Sequence, residues 1–398
     1  MAKKTSTKPQ IKTIGILTSG GDAPGMNAGV RAVVRAALAK GLKVYFIKEG
    51  YKGLVDYEKD HSLVEECTSP RKVGNIINKS GTILYTARCD EFAKEEGMNK
   101  ALQTIKELQI DGIVALGGDG TFRGATDLAQ KGIRTIGVPC TIDNDITATD
   151  VTIGFDTAMN TAMNLIDNLR DTCESHARCN VIEAMGRDAG HIALRVGIAS
   201  GATAIAIPEF DFDEDAVIEK IKQQKADGKR SFIVVVSEGY RDERFASPSK
   251  EALKKEKADM PLHRRISYAE FLAEKIQAET KIETKFARPA HTQRGGEPTL
   301  QDRLLASEMG SAAIKYLMNG KTDIIVRKVD GQISYLDIKK ALTVDCMLKT
   351  ALIPDFKRKL TEKDIEALDP KDKTWMEKRC KKVMDDIKNL YDIANEIC

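Results

Sequence analysis

The segment Thr18-Ser19-Gly20-Gly21-Asp22-Ala23-Pro24-Gly25-Met26-Asn27 has a counterpart further along in Gly117-Gly118-Asp119-Gly120-Thr121. Each follows a short apolar run and opens onto a helical pattern, the order of strand, glycine turn and helix from which parallel α/β layers are built. Glycines at such turns let backbone N–H groups come close to phosphate oxygens, and the helix start adds a positive dipole end. A third segment, Thr141-Ile142-Asp143-Asn144-Asp145, leaves another strand just after Pro139. Its aspartates suit holding Mg²⁺ or accepting a proton, so the trio points to phosphoryl transfer.

Outward from these turns, apolar runs at 14–17, 44–47, 112–116 and 135–138 alternate with helical patterns at 26–40, 100–108 and 121–131. That alternation predicts a parallel sheet covered on both faces. A second series predicts a similar layer: helix 157–170, strand 181–184, helix 188–199, strand 204–207, helix 213–224 and strand 232–236. The stretch 240–285, with lysine-rich 250–257 and an amphipathic helix near 268–278, reads as a solvated insertion. Near the end, Thr361-Glu362-Lys363-Asp364 has the form of a capping box. After Pro370, Val383, Ile387, Leu390, Ala394 and Ile397 recur on one helical face that must pack on the body or on another subunit.

With 398 residues and 42% hydrophobic content, the chain can bury the cores of two domains. Lys+Arg of 62 against Asp+Glu of 59 is too balanced for a protein that lives on nucleic acid or an anionic membrane. The first residues read as a frayed tail without a signal-peptide core, and no run approaches the roughly 20 apolar residues of a membrane helix. The eight cysteines show no paired zinc spacing, and Cys173 and Cys179 read as structural thiols; a reduced, cytoplasmic setting is expected.

If the segment 141–145 is extended, Asp143 and Asp145 point to one side and Asn144 to the other. An aspartate there can activate a hydroxyl nucleophile; an Asx-turn that merely holds the loop is the alternative. Arg178, Met185-Gly186-Arg187, Glu238 and His291-Thr292-Gln293-Arg294-Gly295-Gly296 lie at or near strand ends of the second series. Arginine forks suit phosphate and Glu238 suits sugar hydroxyls, although singly each also reads as a surface or capping residue, and His291 as a structural histidine.

Taken in order, the chain resembles the phosphofructokinase family. The motifs are TSGGDAPGMNA, the TAR of Thr86-Ala87-Arg88, GGDGT, PxTIDND at 139–145, MGR at 185–187 and HxQRGG at 291–296, across about residues 12–345. NAD kinases and lipid kinases also use a glycine-aspartate-glycine turn, but six motifs in sequence are far more specific than one. The resemblance implies an α/β fold of two similar three-layer domains with mainly parallel sheets and the active site in the cleft between them. Residues 1–150 plus about 295–345 would bind nucleotide. Residues 151–294 would bind sugar phosphate, with the insertion at about 241–283, and 346–398 would form a C-terminal helical extension. It further implies a glycolytic kinase, usually a homotetramer, that moves a phosphoryl group from ATP to the 1-hydroxyl of fructose 6-phosphate with Mg²⁺.

Carried over position by position, Asp143 resembles the general base and Asp119 the Mg²⁺ ligand, with Thr141 and Arg187 stabilising the charge in transit. Gly21, Arg88, Cys89, Gly118, Gly120, Thr121 and Gly124 would lie along the nucleotide. Met185, Gly186, Arg187, Glu238, Lys285, His291 and Arg294 would hold the sugar phosphate, with Arg178 reaching in from a neighbouring subunit. Arg31, Arg35, Arg170 and Lys229 resemble an effector site between subunits.

Members that use pyrophosphate typically carry Asp where this chain has Gly120 and Lys where it has Cys140, so Gly120 implies ATP. Cys140 follows neither pattern, since ATP users commonly have Gly there. Lys285 stands where the family commonly has Arg, which turns a bidentate phosphate contact into a point charge. Thr203 and Asp227 replace the Glu and Lys of bacterial allosteric members. The readings that stay open are a pyrophosphate-dependent enzyme, another sugar-phosphate acceptor such as sedoheptulose 7-phosphate, and a non-catalytic sugar-phosphate sensor. A dinucleotide oxidoreductase lacks the Gly-x-Gly-x-x-Gly register at the first loop.

Overall fold

A computed structural model describes residues 11–242, 267–353, 356 and 358–398. The N-terminal tail and the lysine-rich 250–257 lie outside the described residues. The chain divides into two compact units. The first is built from the described residues of Met1–Thr157, Arg294–Thr350 and Phe356–Cys380, the second from those of Ala158–Gln293, Ala351–Asp355 and Lys381–Cys398.

In the first unit, strands β1 (Thr13–Thr18), β2 (Lys43–Ile47), β3 (Val64–Glu66), β4 (Gly112–Gly117) and β5 (Arg134–Pro139) join a later pair, β10 (Ile324–Val329) and β11 (Gln332–Asp337). Their order in the sheet is β11-β10-β5-β4-β1-β2-β3. The five central strands run parallel, whereas β3 and β11 pair antiparallel at the two edges. Strands β1, β4 and β5 are apolar on both faces because helices cover both, among them α1 (Met26–Ala39), α3 (Glu95–Glu107) and α4 (Asp119–Gln130). One core gathers Leu17, Ile47, Leu54, Ile113 and Leu128; another gathers Phe122, Ile146, Ile325, Val344 and Met376.

The first unit also contains the helix Leu300–Met318, which crosses α1 so closely that a Cβ on Gly310 would lie 2.7 Å from Ala32 Cβ. At its start, buried Asp302 accepts hydrogen bonds from the N–H groups of Gly154 and Thr157, both at 2.8 Å, and from the Thr157 hydroxyl at 2.5 Å. One carboxylate thereby satisfies orphan donors where α5 (Phe155–His176) begins.

The second unit is a smaller parallel sheet of β6 (Cys179–Ala184), β7 (Ala204–Ala206), β8 (Phe232–Ser237) and β9 (Thr284–Ala287), ordered β7-β8-β6-β9. Helices α6 (His191–Ala199) and α7 (Glu214–Ala226) and the helix Tyr268–Thr280 accompany it, and Val181, Val234, Ile218 and Leu272 share its core. Asp213 caps α7 through the Ala216 N–H at 2.9 Å. The expected capping box forms between Thr361 and Asp364, ahead of the long helix Pro370–Ile397. Among the described residues no helix is long and apolar enough to cross a membrane.

Replacing Asp302 with Ala leaves three buried donors without their acceptor, and a loss of about 2–4 kcal/mol of stability is expected in chemical denaturation. An unchanged midpoint and slope would contradict this role.

Candidate active site

The glycine turns after β1 and β4 and the acid loop after β5 emerge from the carboxyl ends of three adjacent strands. Backbone and side-chain bonds lock them together. Ser19 N–H donates to Leu116 O at 3.0 Å, the Thr121 hydroxyl to Ser19 O at 2.9 Å, and Cys140 N–H to Gly117 O at 3.0 Å. Gly117 is needed for this closeness, because a Cβ there would lie 2.2 Å from Thr121 Oγ1 and 2.3 Å from Ser19 O. Gly120 is exposed, with nothing within 4 Å of where a Cβ would stand. Gly124 is buried, and a Cβ there would lie 2.5 Å from the Tyr51 ring.

Asp119 opens α4 and is held by Arg123 through Nη2 at 2.9 Å and Nε at 3.2 Å, and by Arg358 at 3.3 Å. Its i, i+4 spacing marks Arg123 as a partner legible in the sequence; Arg358 has no such local mark. Among the described residues no group of three or more His, Cys, Asp and Glu forms a metal cage. One carboxylate is still a fitting donor set for Mg²⁺, which keeps waters and takes most of its other ligands from substrate phosphates.

The segment 141–145 is not extended, so the alternation expected for Asp143 and Asp145 does not hold. The chain turns at Ile142 and Asp143, and Asn144 adopts φ 51°. Thr141 Oγ1 accepts from the Asp143 N–H at 3.2 Å, and Asn144 Oδ1 accepts from the Thr152 N–H at 2.9 Å, so a turn-holding role for Asn144 is real. Asp143 is buried at 6% exposure. Asp145 pairs with Lys349 Nζ at 3.0 Å, and Lys349 in turn with Asp345 at 2.7 Å. Burial alone would lower the Lys349 pKa, but Asp345 and Asp145, with the field of Asp119, raise it above the usual lysine value. Burial pushes the Cys140 thiol well above its ordinary pKa, which leaves it a neutral packing residue.

Arg294 also belongs to the first unit and lies over the first glycine turn, with Nη1 donating to Asp22 O at 3.0 Å. Arg88 is exposed and Cys89 half-buried on the loop after Thr86, whose hydroxyl donates to Gly20 O at 2.7 Å. Asn27 anchors the preceding residues: its Oδ1 accepts from the Ile83 N–H at 2.7 Å.

In the second unit, Glu238 Oε1 accepts from the N–H groups of Gly186 at 3.1 Å and Arg187 at 2.7 Å, and so holds the left-handed turn at Arg187, φ 57°. Gln293, fully buried, accepts from the Met185 N–H at 2.9 Å. It lies inside the HxQRGG motif without being singled out, since its side chain acts on a residue distant in sequence. His291 is exposed next to it. Glu283 bridges Arg178 at 2.7 Å and Lys285 at 2.9 Å. Of the four expected effector cations, Arg31 and Arg35 stand on α1 in the first unit. In the second, Arg170 bonds Gly201 O at 3.2 Å, and Lys229 bonds Gln224 at 3.0 Å and Thr203 at 3.4 Å.

A family model described as Phosphofructokinase matches residues 13–317. An ATP-dependent 6-phosphofructokinase of Clostridium botulinum is 45% identical over 335 residues, covering 84% of this chain and 95% of that protein. One from Alkaliphilus metalliredigens has the same identity and coverage. The crystal structure of Pichia pastoris phosphofructokinase in the T-state superposes with a TM-score of 0.75 at 29% identity, over 97% of this chain and 40% of that one.

The bridge at Glu283 has a pH signature. Lys285 first, and Arg178 second, hold its carboxyl at about 2, below the ordinary 4.5. A depressed carboxylate pKa means that the bridge is fully formed above the ordinary value and is lost as pH falls toward 2. An NMR titration of the Glu283 side chain should show this low midpoint, and Lys285→Ala should raise it. A midpoint at the ordinary carboxylate value would contradict the bridge.

Proposed function

The chain belongs to the phosphofructokinase family, and from that premise we propose that it moves the γ-phosphoryl group of ATP to the 1-hydroxyl of fructose 6-phosphate. The observation that carries the reading is the junction of two glycine turns and an acid loop at the ends of β1, β4 and β5.

The first unit takes the donor. Backbone N–H groups around Gly21 on the first glycine turn, and around Gly118, Gly120 and Thr121 at the start of α4, receive the phosphates, and Arg88, Cys89 and Gly124 flank the nucleotide. Open space at Gly120 suits the α-phosphate of ATP, where an Asp side chain would crowd and repel it. Asp119 would hold Mg²⁺, whose charge offsets that of the phosphates when bound; Arg123 and Arg358 are then the groups that must yield or turn toward phosphate.

The residues that would hold the sugar phosphate are Met185, Gly186, Arg187, Glu238, Lys285, His291 and Arg294 and, from a neighbouring copy, Arg178. The 1-hydroxyl oxygen bonds to the γ-phosphorus, its proton passes to Asp143 and ADP departs. Thr141 and Arg187 stabilise the negative charge in transit. A cytoplasmic homotetramer with an effector site at Arg31, Arg35, Arg170 and Lys229 accords with the family.

Asp143→Ser should lower kcat by about 10²–10⁴-fold, the usual contribution of a general base. Binding of fructose 6-phosphate, followed by calorimetry, should stay measurable. An unchanged kcat would overturn the role of Asp143.

A further inference from the structure

The acid loop is held from a part of the chain beyond the family-matched residues 13–317. The loop residue Thr147 has its N–H bonded to Asp345 Oδ1 at 3.0 Å and its hydroxyl to the same oxygen at 2.7 Å. Its carbonyl accepts from Arg379 Nε at 2.7 Å. The same guanidinium reaches Asp150 with Nη1, also at 2.7 Å. Asp345 belongs to the helix Ile338–Leu352 and Arg379 to the helix Pro370–Ile397. Two segments remote in sequence thus satisfy both backbone groups of one loop residue.

The Arg379 side chain is only 7% exposed. A buried guanidinium is costly unless paired and hydrogen-bonded, and its partners here, Thr147 and Asp150, both lie on the acid loop. In return Arg379 supplies the donor for the carbonyl of buried Thr147, whereas the Asp150 carboxylate is partly exposed and also accepts from the Asp330 N–H at 2.8 Å. Nearer to Asp143 in the same loop, the Lys349 link from Asp345 fixes Asp145. The stretch that follows the base, from Asp145 to Asp150, is therefore held by contacts that come from residues 345–379.

We propose that Arg379 is a positioning residue for phosphoryl transfer: by holding Thr147 and Asp150 it keeps the Asp143 carboxylate in the geometry that takes the substrate proton. This rests on the kinase reading given above. It gives the C-terminal segment a part in turnover that the family motifs do not contain. Two-pronged N–H geometry is what Lys lacks, so Arg379→Lys should recover only part of the effect of Arg379.

The test compares Arg379→Ala and Arg379→Lys with Ile387→Ala, a buried packing change about two turns further along the same helix and outside the core that holds the loop residues Ile146 and Ala148. The chain's one tryptophan, Trp375, beneath the Arg327 guanidinium at 5.7 Å, reports through its fluorescence whether the helix stays docked. With the helix docked, Arg379→Ala should lower kcat by about 10–100-fold, the scale of a small misplacement of a catalytic group, with KM for fructose 6-phosphate little changed. Arg379→Lys should fall between, and Ile387→Ala should lose thermal stability while keeping kcat near the parent value. An Arg379→Ala enzyme with parental kcat, or an Ile387→Ala enzyme as slow as Arg379→Ala, would overturn the proposal. If the parent protein transfers no phosphoryl group, the kinase reading fails by itself. Amide hydrogen exchange at 143–150 then decides the positioning claim: faster exchange in Arg379→Ala but not in Ile387→Ala supports it, and equal exchange overturns it.

Discussion

The parallel pairing of β1, β4 and β5 is the constraint on which the site depends. In a parallel sheet all carboxyl ends lie on one edge, and adjacent strands stand only about 4.8 Å apart. The turns at Gly20–Gly21 and Gly117–Gly120 and the loop from Thr141 therefore meet without any side chain having to reach far. The Thr121 to Ser19 and Cys140 to Gly117 bonds fix this meeting. Gly117 allows it by lacking the Cβ that would collide with both neighbours.

In each unit polar side chains hold loops. Asp302 gathers the donors where α5 begins, Glu238 and Gln293 order the MGR turn in the second unit, and Asp345, Lys349 and Arg379 fasten the acid loop in the first. Loops carry the proposed chemistry, and a loop backbone without a ladder must find its hydrogen-bond partners in side chains. The cost of burying the charges of Asp302, Asp345 and Arg379 is offset only while each remains paired, which makes these supports as consequential as the groups they hold.

The central parallel strands and their helices were legible in the sequence because short apolar runs ending in glycine turns leave little ambiguity. The β10–β11 hairpin was missed, although Asp330-Gly331, with φ values of 49° and 76°, is the dipeptide that such a turn favours. Strand β3, three residues long, offers too short a pattern to see. At the site, the glycine turns and aspartates follow from local chemistry. Arg358 and Arg379 do not, since an arginine on a polar helix or loop looks the same whether it meets solvent or a carboxylate far away in sequence. The turn at Asn144 likewise overrode an alternation that only an extended segment would have kept.

The central claim is that Gly120 and the junction around it make ATP the phosphoryl donor to fructose 6-phosphate, with Cys140 a bystander in the donor choice. The most direct measurement is kcat/KM on fructose 6-phosphate with ATP and with pyrophosphate, on one preparation with Mg²⁺ present. The account predicts turnover with ATP and little or none with pyrophosphate. A higher kcat/KM with pyrophosphate would contradict it.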